Sequence, residues 1–197
     1  MIPPTGSSPV PRVGAAHARL RVATTDLHAQ VDGLFADGLD SACGYRRYVL
    51  GMHRFAADYE AAVGIAPRHS AWLAEDLDLL SLAPLAARDA QHLLADAATR
   101  LGWRYVMAGS SLGARGLLRD AHRLGHADGR GATFLARHAA SDEWAGLRAR
   151  LQAFDAGDAP RMARAEAGAR AAFARVHACL QRSFDRLPAT AEPEPCR

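Results

Sequence analysis

The sequence contains no lysine; all 24 of its basic residues are arginine. Against 21 acidic residues they leave a net charge of +3. That is too small to argue for nucleic-acid binding, and no basic run, RNA-type aromatic motif or zinc-finger spacing supports it. β-Branched residues are scarce, with eight Val, two Ile and six Thr, which argues against a large sheet. Three cysteines, Cys43, Cys179 and Cys196, are odd in number, scattered and without a CxxC pair, so neither a disulfide framework nor a zinc-cysteine site follows. No apolar run approaches the ~20 residues of a membrane span. The N-terminal MIPPTGSSPVPRVG has neither the charged segment nor the apolar stretch of a secretory signal. These absences point to a cytoplasmic protein of one domain, long enough at 197 residues to bury a core. A modest basic face suits an acidic electron donor or an anionic ligand.

Alanine and arginine, both good helix formers, are abundant instead, and the expected class is all-α. Residues 1–15 and the tail 188–197, rich in Pro, Gly and Ser or in Pro, Ala and Glu, are expected to be disordered. The domain then covers 16–187. Apolar spacing predicts helices over about Ala16–Ala36, Gly44–Val63 and Ala71–Leu80. Pro84 is expected to open another that reaches Leu101, with Gly102 separating it from Trp103–Leu124. Ala132–His138, a helix capped by Ser141 and running to Phe154, and a long helix opened by Asp158 and Pro160 complete a bundle of about seven.

Two segments carry chemistry. In RYVMAGSSLGARGLL, Tyr105, Gly109, Leu112 and Gly116 share a helix face at 100° per residue, with Gly113 at its edge. Each mid-helix glycine costs about 1 kcal/mol relative to alanine. One reading is close packing against another helix; the other is a helix that bends and lets a broad, flat ligand approach its backbone. The same stretch reads G-x-S-x-G through Gly109, Ser111 and Gly113, the nucleophile-elbow pattern of serine hydrolases. That elbow needs a preceding strand and a parallel sheet.

The other segment is LRVATTDLHAQVDGLF. A lone histidine such as His28, at the flank of an apolar stripe, is ordinarily a boundary residue. Arg21, seven residues earlier, projects from nearly the same side, about 10.5 Å away along the axis. That matches the reach from a heme iron, which a neutral imidazole binds axially, to its propionates, which a guanidinium pairs.

The L-R-x-A-T-x-x-x-H segment resembles the proximal helix of bacterial heme oxygenases, and Y-V-x-x-G-S-x-L-G, about eighty residues later, resembles their distal helix. The likeness spans about residues 16–186 and is greatest to the biliverdin-producing enzymes associated with bacterial phytochromes. It implies a heme oxygenase-like helical bundle that holds heme as both cofactor and substrate. Oxygen and electrons from a ferredoxin or a reductase would open the ring to biliverdin, carbon monoxide and ferrous iron, with a bacteriophytochrome as recipient of the biliverdin. It also implies His28 as iron ligand, Gly109, Ser110 and Gly113 as the distal segment, and Arg21, Thr24, Tyr105, Leu112, Phe173 and Arg175 as heme contacts. Arg170 and Arg182 are alternatives to Arg175 as a second propionate anchor. Ser110 stands where some members carry Asp, Ala108 where many are acidic, and Asp32 where Glu is common; Asp32 lies one turn from His28 and within reach of its ring.

A heme carrier or sensor on the same fold would use His28 without turnover. A di-iron site needs paired Glu-x-x-His motifs, and only Asp89–His92 has that spacing. The thiamine-degrading proteins that share the fold use a buried cysteine, whereas Cys43 and Cys179 have no evident activating partner. His177 is the remaining histidine placed to line a pocket.

Overall fold

A computed structural model of the chain describes residues 14–36, 38–87 and 96–188. The expected tails, apart from Gly14, Ala15 and Pro188, lie outside the described residues, as do Asp89, His92 and Cys196. Among those described there are seven helices and no strand beyond isolated bridges near Ala127 and Arg130. They are α1 (Ala15–Gly33), α2 (Ala42–Val63), α3 (His69–Leu79), α4 (Ala97–Arg123), α5 (Thr133–Ala139), α6 (Glu143–Gln152) and α7 (Ala159–Arg186). The all-α expectation holds. No helix among the described residues is long and apolar enough to cross a membrane.

Local chemistry sets the boundaries. Ser41 Oγ accepts from the Gly44 amide at the start of α2. Gly64, at φ 69° in the left-handed region, ends it, and its neighbour Ile65 donates back to the Glu60 carbonyl. Asp96 receives the amides of Ala98 and Thr99 at the head of α4, and Asp158 that of Arg161 at the head of α7. These caps satisfy amides that the helix itself leaves unpaired.

Three expected boundaries differ. Pro84 opens no helix: residues 82–87 are irregular and α4 begins at the Asp96 cap. Ser141 does not cap α6, because its hydroxyl turns back to the His138 carbonyl and closes α5. Gly102 does not interrupt α4 but lies inside it, where the helix meets α7. A methyl group at Gly102 would come within 3.0 Å of Ala165 and Ala169 backbone atoms, and one at Gly168 within 3.0 Å of the Thr99 backbone. The two glycines form a reciprocal notch in which the backbones touch. Glycine here is a packing requirement, not a stop signal.

α7 is the spine, packing along α4, α2 and α1. Its inward face (Ala165, Ala169, Ala172, Phe173, Val176, Leu180) joins Leu20, Tyr45, Phe55, Met107 and Phe134 in the core. Three carboxylates are buried with partners. Asp58 bonds Arg54 and Arg175, Asp76 receives the amides of Thr133 and Phe134 at the head of α5, and Glu60 receives those of Arg68, His69 and Ser70 at the head of α3. Each is satisfied by hydrogen bonds, as a buried anion must be.

The notch makes a clear expectation for mutation. Gly102→Ala should lower stability by about 3 kcal/mol or more, since backbone cannot yield as a side chain does; denaturant unfolding measures it. An unchanged midpoint would show that α4 and α7 do not meet as described.

Candidate functional site

α1 and α4 both pack on α7, and between them opens a cavity of about 1200 Å³. Tyr48, Met52 and Phe55 of α2 and Phe173, Val176 and Leu180 of α7 line its apolar interior, and α6 contributes Trp144 and Arg148. Most of the lining is apolar, with a few polar groups at the edges, the usual character of a site for a large organic ligand.

His28 lines this cavity from α1, with its side chain more than half exposed. Its Nδ1 lies 2.8 Å from Asp32 Oδ2, one turn away, and its ring is 5.5 Å from that of Phe173. The carboxylate fixes the ring and leaves Nε2 as the nitrogen available to a ligand. A histidine oriented by a carboxylate on its other nitrogen is the arrangement that metals favour.

Tyr105, Gly109, Ser110, Leu112 and Gly113 line the cavity from α4. A methyl group at Gly113 would meet nothing within 4 Å, and one at Gly109 would meet only the Trp144 ring at 3.9 Å. Packing against another helix therefore does not account for these two glycines. They present bare backbone to the cavity, whereas Gly116 lies beyond its lining.

Several expected residues are placed elsewhere. Arg175 does not reach the cavity, because its guanidinium bonds the buried Asp58 at 2.6 Å. Arg170 bonds the Ala23 carbonyl and Arg182 that of Ala86; neither they nor His177 lines the cavity. Thr24 is buried behind it, its hydroxyl donating to the Leu20 carbonyl at 2.8 Å and facing Tyr105. Among the described residues, the arginines that do line the cavity are Arg21 and Arg148. His17 stands beside them, its ring 6.0 Å from that of Tyr105 and 5.4 Å from that of Trp144. Burial, reinforced by Arg21 and Arg148, pushes the His17 imidazole below its ordinary range. His17 and Arg148 escaped the sequence reading. His17 lies eleven residues, about three helical turns, before His28 on the same helix, which is the periodic signal that could have found it.

Behind Ser110 runs a buried polar chain that includes His138, the histidine of the F-L-x-R-H segment Phe134–His138, which also fits the heme oxygenase pattern. Ser110 Oγ donates to the Met107 carbonyl at 2.8 Å and lies 2.9 Å from His138 Nε2. His138 Nδ1 faces Glu143 Oε2 at 3.9 Å, and Glu143 bonds His69 Nε2 at 3.0 Å and Arg68 at 2.8 Å. Burial, with the nearby charge of His69, holds His138 down at about 4. For His69 burial acts downward, but Glu143 and Glu60 outweigh it and raise the imidazole. Glu60 is likewise opposed by burial, yet bonds from His69, Ser70 and the backbone hold it at about 2.

The rival chemistries find no support. Ser111 lies within α4 with no strand before it, and its hydroxyl is spent on the Ala108 carbonyl at 2.7 Å. The buried Cys179 thiol is pushed up to about 11, first by burial, and is not a ready nucleophile.

No protein-family model matches the sequence, and no curated protein does. The solved structures that match include the heme oxygenase from Neisseria meningitidis, determined in NO- and CO-bound forms. The TM-score is 0.69 at 25% sequence identity, over 94% of this chain and 98% of that one. The chain has the heme oxygenase fold. The expected fold class is thus met over nearly the whole chain.

The buried chain predicts a pH response. The folded pKa values of Glu60 and His138 are depressed, so their contributions are full above about 4.5 and 6.5, respectively, and fade as pH falls toward about 2 and about 4. Each shift, from 4.5 to about 2 and from 6.5 to about 4, corresponds to roughly 3 kcal/mol. His69 acts oppositely: raised, it contributes fully below 6.5 and less as pH climbs past its folded value. Denaturant unfolding from pH 7 to 3 should show stability falling on the acid side. His138→Gln should remove the part between 6.5 and 4, and Glu60→Gln the part below 4.5. Identical pH profiles in all three proteins would contradict the assignment.

Proposed function

We propose that the cavity binds heme and that the protein is a heme oxygenase. The observation that carries this reading is a single cavity lined on α1 by a carboxylate-oriented histidine and on α4 by two glycines whose Cβ positions are open. Added to it are the fold shared with the Neisseria enzyme and the two motifs that match both helices.

Heme, once bound, supplies the iron that activates oxygen with electrons from a donor, and is itself the substrate opened to biliverdin, carbon monoxide and ferrous iron. The residues fit that group. His28 would hold the iron through Nε2, which Asp32 would make more basic through the Nδ1 hydrogen bond. Phe173, Val176 and Met52 supply apolar surface that excludes water. Gly109 and Gly113 let the α4 backbone lie against a flat ring. Arg21 and Arg148 are the cations placed to receive the propionates. Ser110, tied to His138 and to the Met107 carbonyl, presents an ordered hydroxyl at the α4 wall that can hold a water. The likeness to phytochrome-associated enzymes extends the reading: biliverdin passes to a bacteriophytochrome, with a ferredoxin or a reductase as electron donor, in the cytoplasm.

Hemin titration tests it. The wild-type protein should give a sharp Soret band that decays to verdin absorption with ascorbate in air. His28→Ala should lose the native complex and regain it with free imidazole, and Asp32→Asn should weaken binding about 10-fold or more. A stable Soret band with no verdin under any donor would favour a carrier, and no binding would sink the reading. Gly113→Ala separates function from folding. It should stabilise the heme-free protein by up to about 1 kcal/mol while slowing heme degradation about 10-fold or more.

A further inference from the structure

We infer that His69, His138 and Glu143 form a binding site for one divalent transition-metal ion, buried behind the α4 wall and independent of heme. The three residues come from three elements: His69 opens α3, His138 lies in the last turn of α5, and Glu143 opens α6. One donor atom of each lies within 4.8 Å of the others; donors on one ion with bonds of about 2.0–2.2 Å stand roughly 3.3–4.4 Å apart, so the side chains close in slightly on binding. Both histidines are 1% exposed.

The orientation of His138 points to an ion apart from mere clustering. Ser110 Oγ, 2.9 Å from His138 Nε2, also donates to the Met107 carbonyl, and this network assigns the proton of the Ser110–His138 pair to Nε2. Nδ1 is then a bare lone pair. It is buried, has no hydrogen-bond partner, and faces Glu143 Oε2 at 3.9 Å. A buried lone pair aimed at a carboxylate with no proton between them leaves the ring nitrogen unsatisfied, although Glu143 has Arg68 and His69 as partners; a cation between them satisfies it.

The surrounding contacts are those of a ligand shell. Imidazoles that bind metals hold their other nitrogen to an oxygen. His138 does so to Ser110, and His69 turns Nδ1 toward Glu60 Oε1 at 3.6 Å while Nε2 meets Glu143 at 3.0 and 3.2 Å. Arg68 holds Glu143 Oε1, leaving Oε2 for the ion. Binding replaces the proton between His69 Nε2 and Glu143, which leaves to solvent. Two imidazoles and a carboxylate suit zinc or ferrous iron, with a fourth position for water. Because Ser110 lines the cavity, an ion that locks the His138 ring also locks the Ser110 hydroxyl.

The test uses the full-length, heme-free, chelator-treated protein mixed with zinc, or with cobalt as a visible probe, then desalted. One equivalent of zinc should be retained per chain, with a melting temperature raised by several degrees. Retention should vanish in Glu143→Gln and His138→Gln but survive in His28→Ala, which loses heme, so the two sites fail separately. Should those two variants not fold, zinc-edge X-ray absorption of the wild type decides, with two imidazoles expected in the shell. Zinc kept by Glu143→Gln, zinc lost in His28→Ala, no retention at all, or a shell with fewer than two imidazoles overturns the site.

Discussion

Where α4 crosses α7, Gly102 and Gly168 bring two backbones into contact, and any side chain at either position would hold the helices apart. That contact seats one end of α4 firmly on the spine of the fold. A helix is stiff, so fixing Gly102 also fixes where the next three turns run. Those turns carry Gly109, Ser110 and Gly113 along the cavity between α4 and α1. α1 rests on the same spine, with Thr24 and Leu20 buried and His28 left on the open side. The cavity is thus the space that two helices leave when both are anchored to a third. Glycine serves opposite ends along one helix: contact at Gly102, and a bare surface for a ligand at Gly109 and Gly113.

Buried charge supports this frame from behind. Glu60 and Asp76 act as caps, neutralising the positive ends of α3 and α5 and so fixing where His69 and Thr133 begin their helices. His69 and His138 then meet Glu143 at the head of α6, and the chain of contacts ends at Ser110 on the cavity wall. The hydroxyl facing the proposed heme is therefore positioned by residues from three further helices. Such a network is rigid only while every member is paired, which ties the electrostatics of the interior to the order of the site.

Much of this was legible in the sequence because it is local. Helix existence followed from apolar spacing, and His28 with Asp32 and Arg21 followed from the 3.6-residue period. The glycine face of α4 was legible too, but not which glycine did what: Gly102 read as a stop, since the Gly168 that accommodates it lies 66 residues away. The second cationic position was misplaced for the same reason. The candidate arginines lie on α7, but Asp58, buried on α2, claims Arg175, while Arg148, from the short α6, reaches the cavity. The His69–His138–Glu143 group has no sequence spacing at all, being assembled by the packing of α3, α5 and α6. Tertiary partners decided each of these, and no single-chain pattern encodes them.

Carbon monoxide released per heme consumed tests the central claim most directly. Purified protein loaded with one equivalent of hemin is given ferredoxin, reductase and NADPH in air, and the gas is trapped with deoxymyoglobin. One carbon monoxide is expected for each Soret chromophore lost, with biliverdin recovered in equal amount. Loss of the Soret band with no carbon monoxide, or a Soret band that persists, would contradict it.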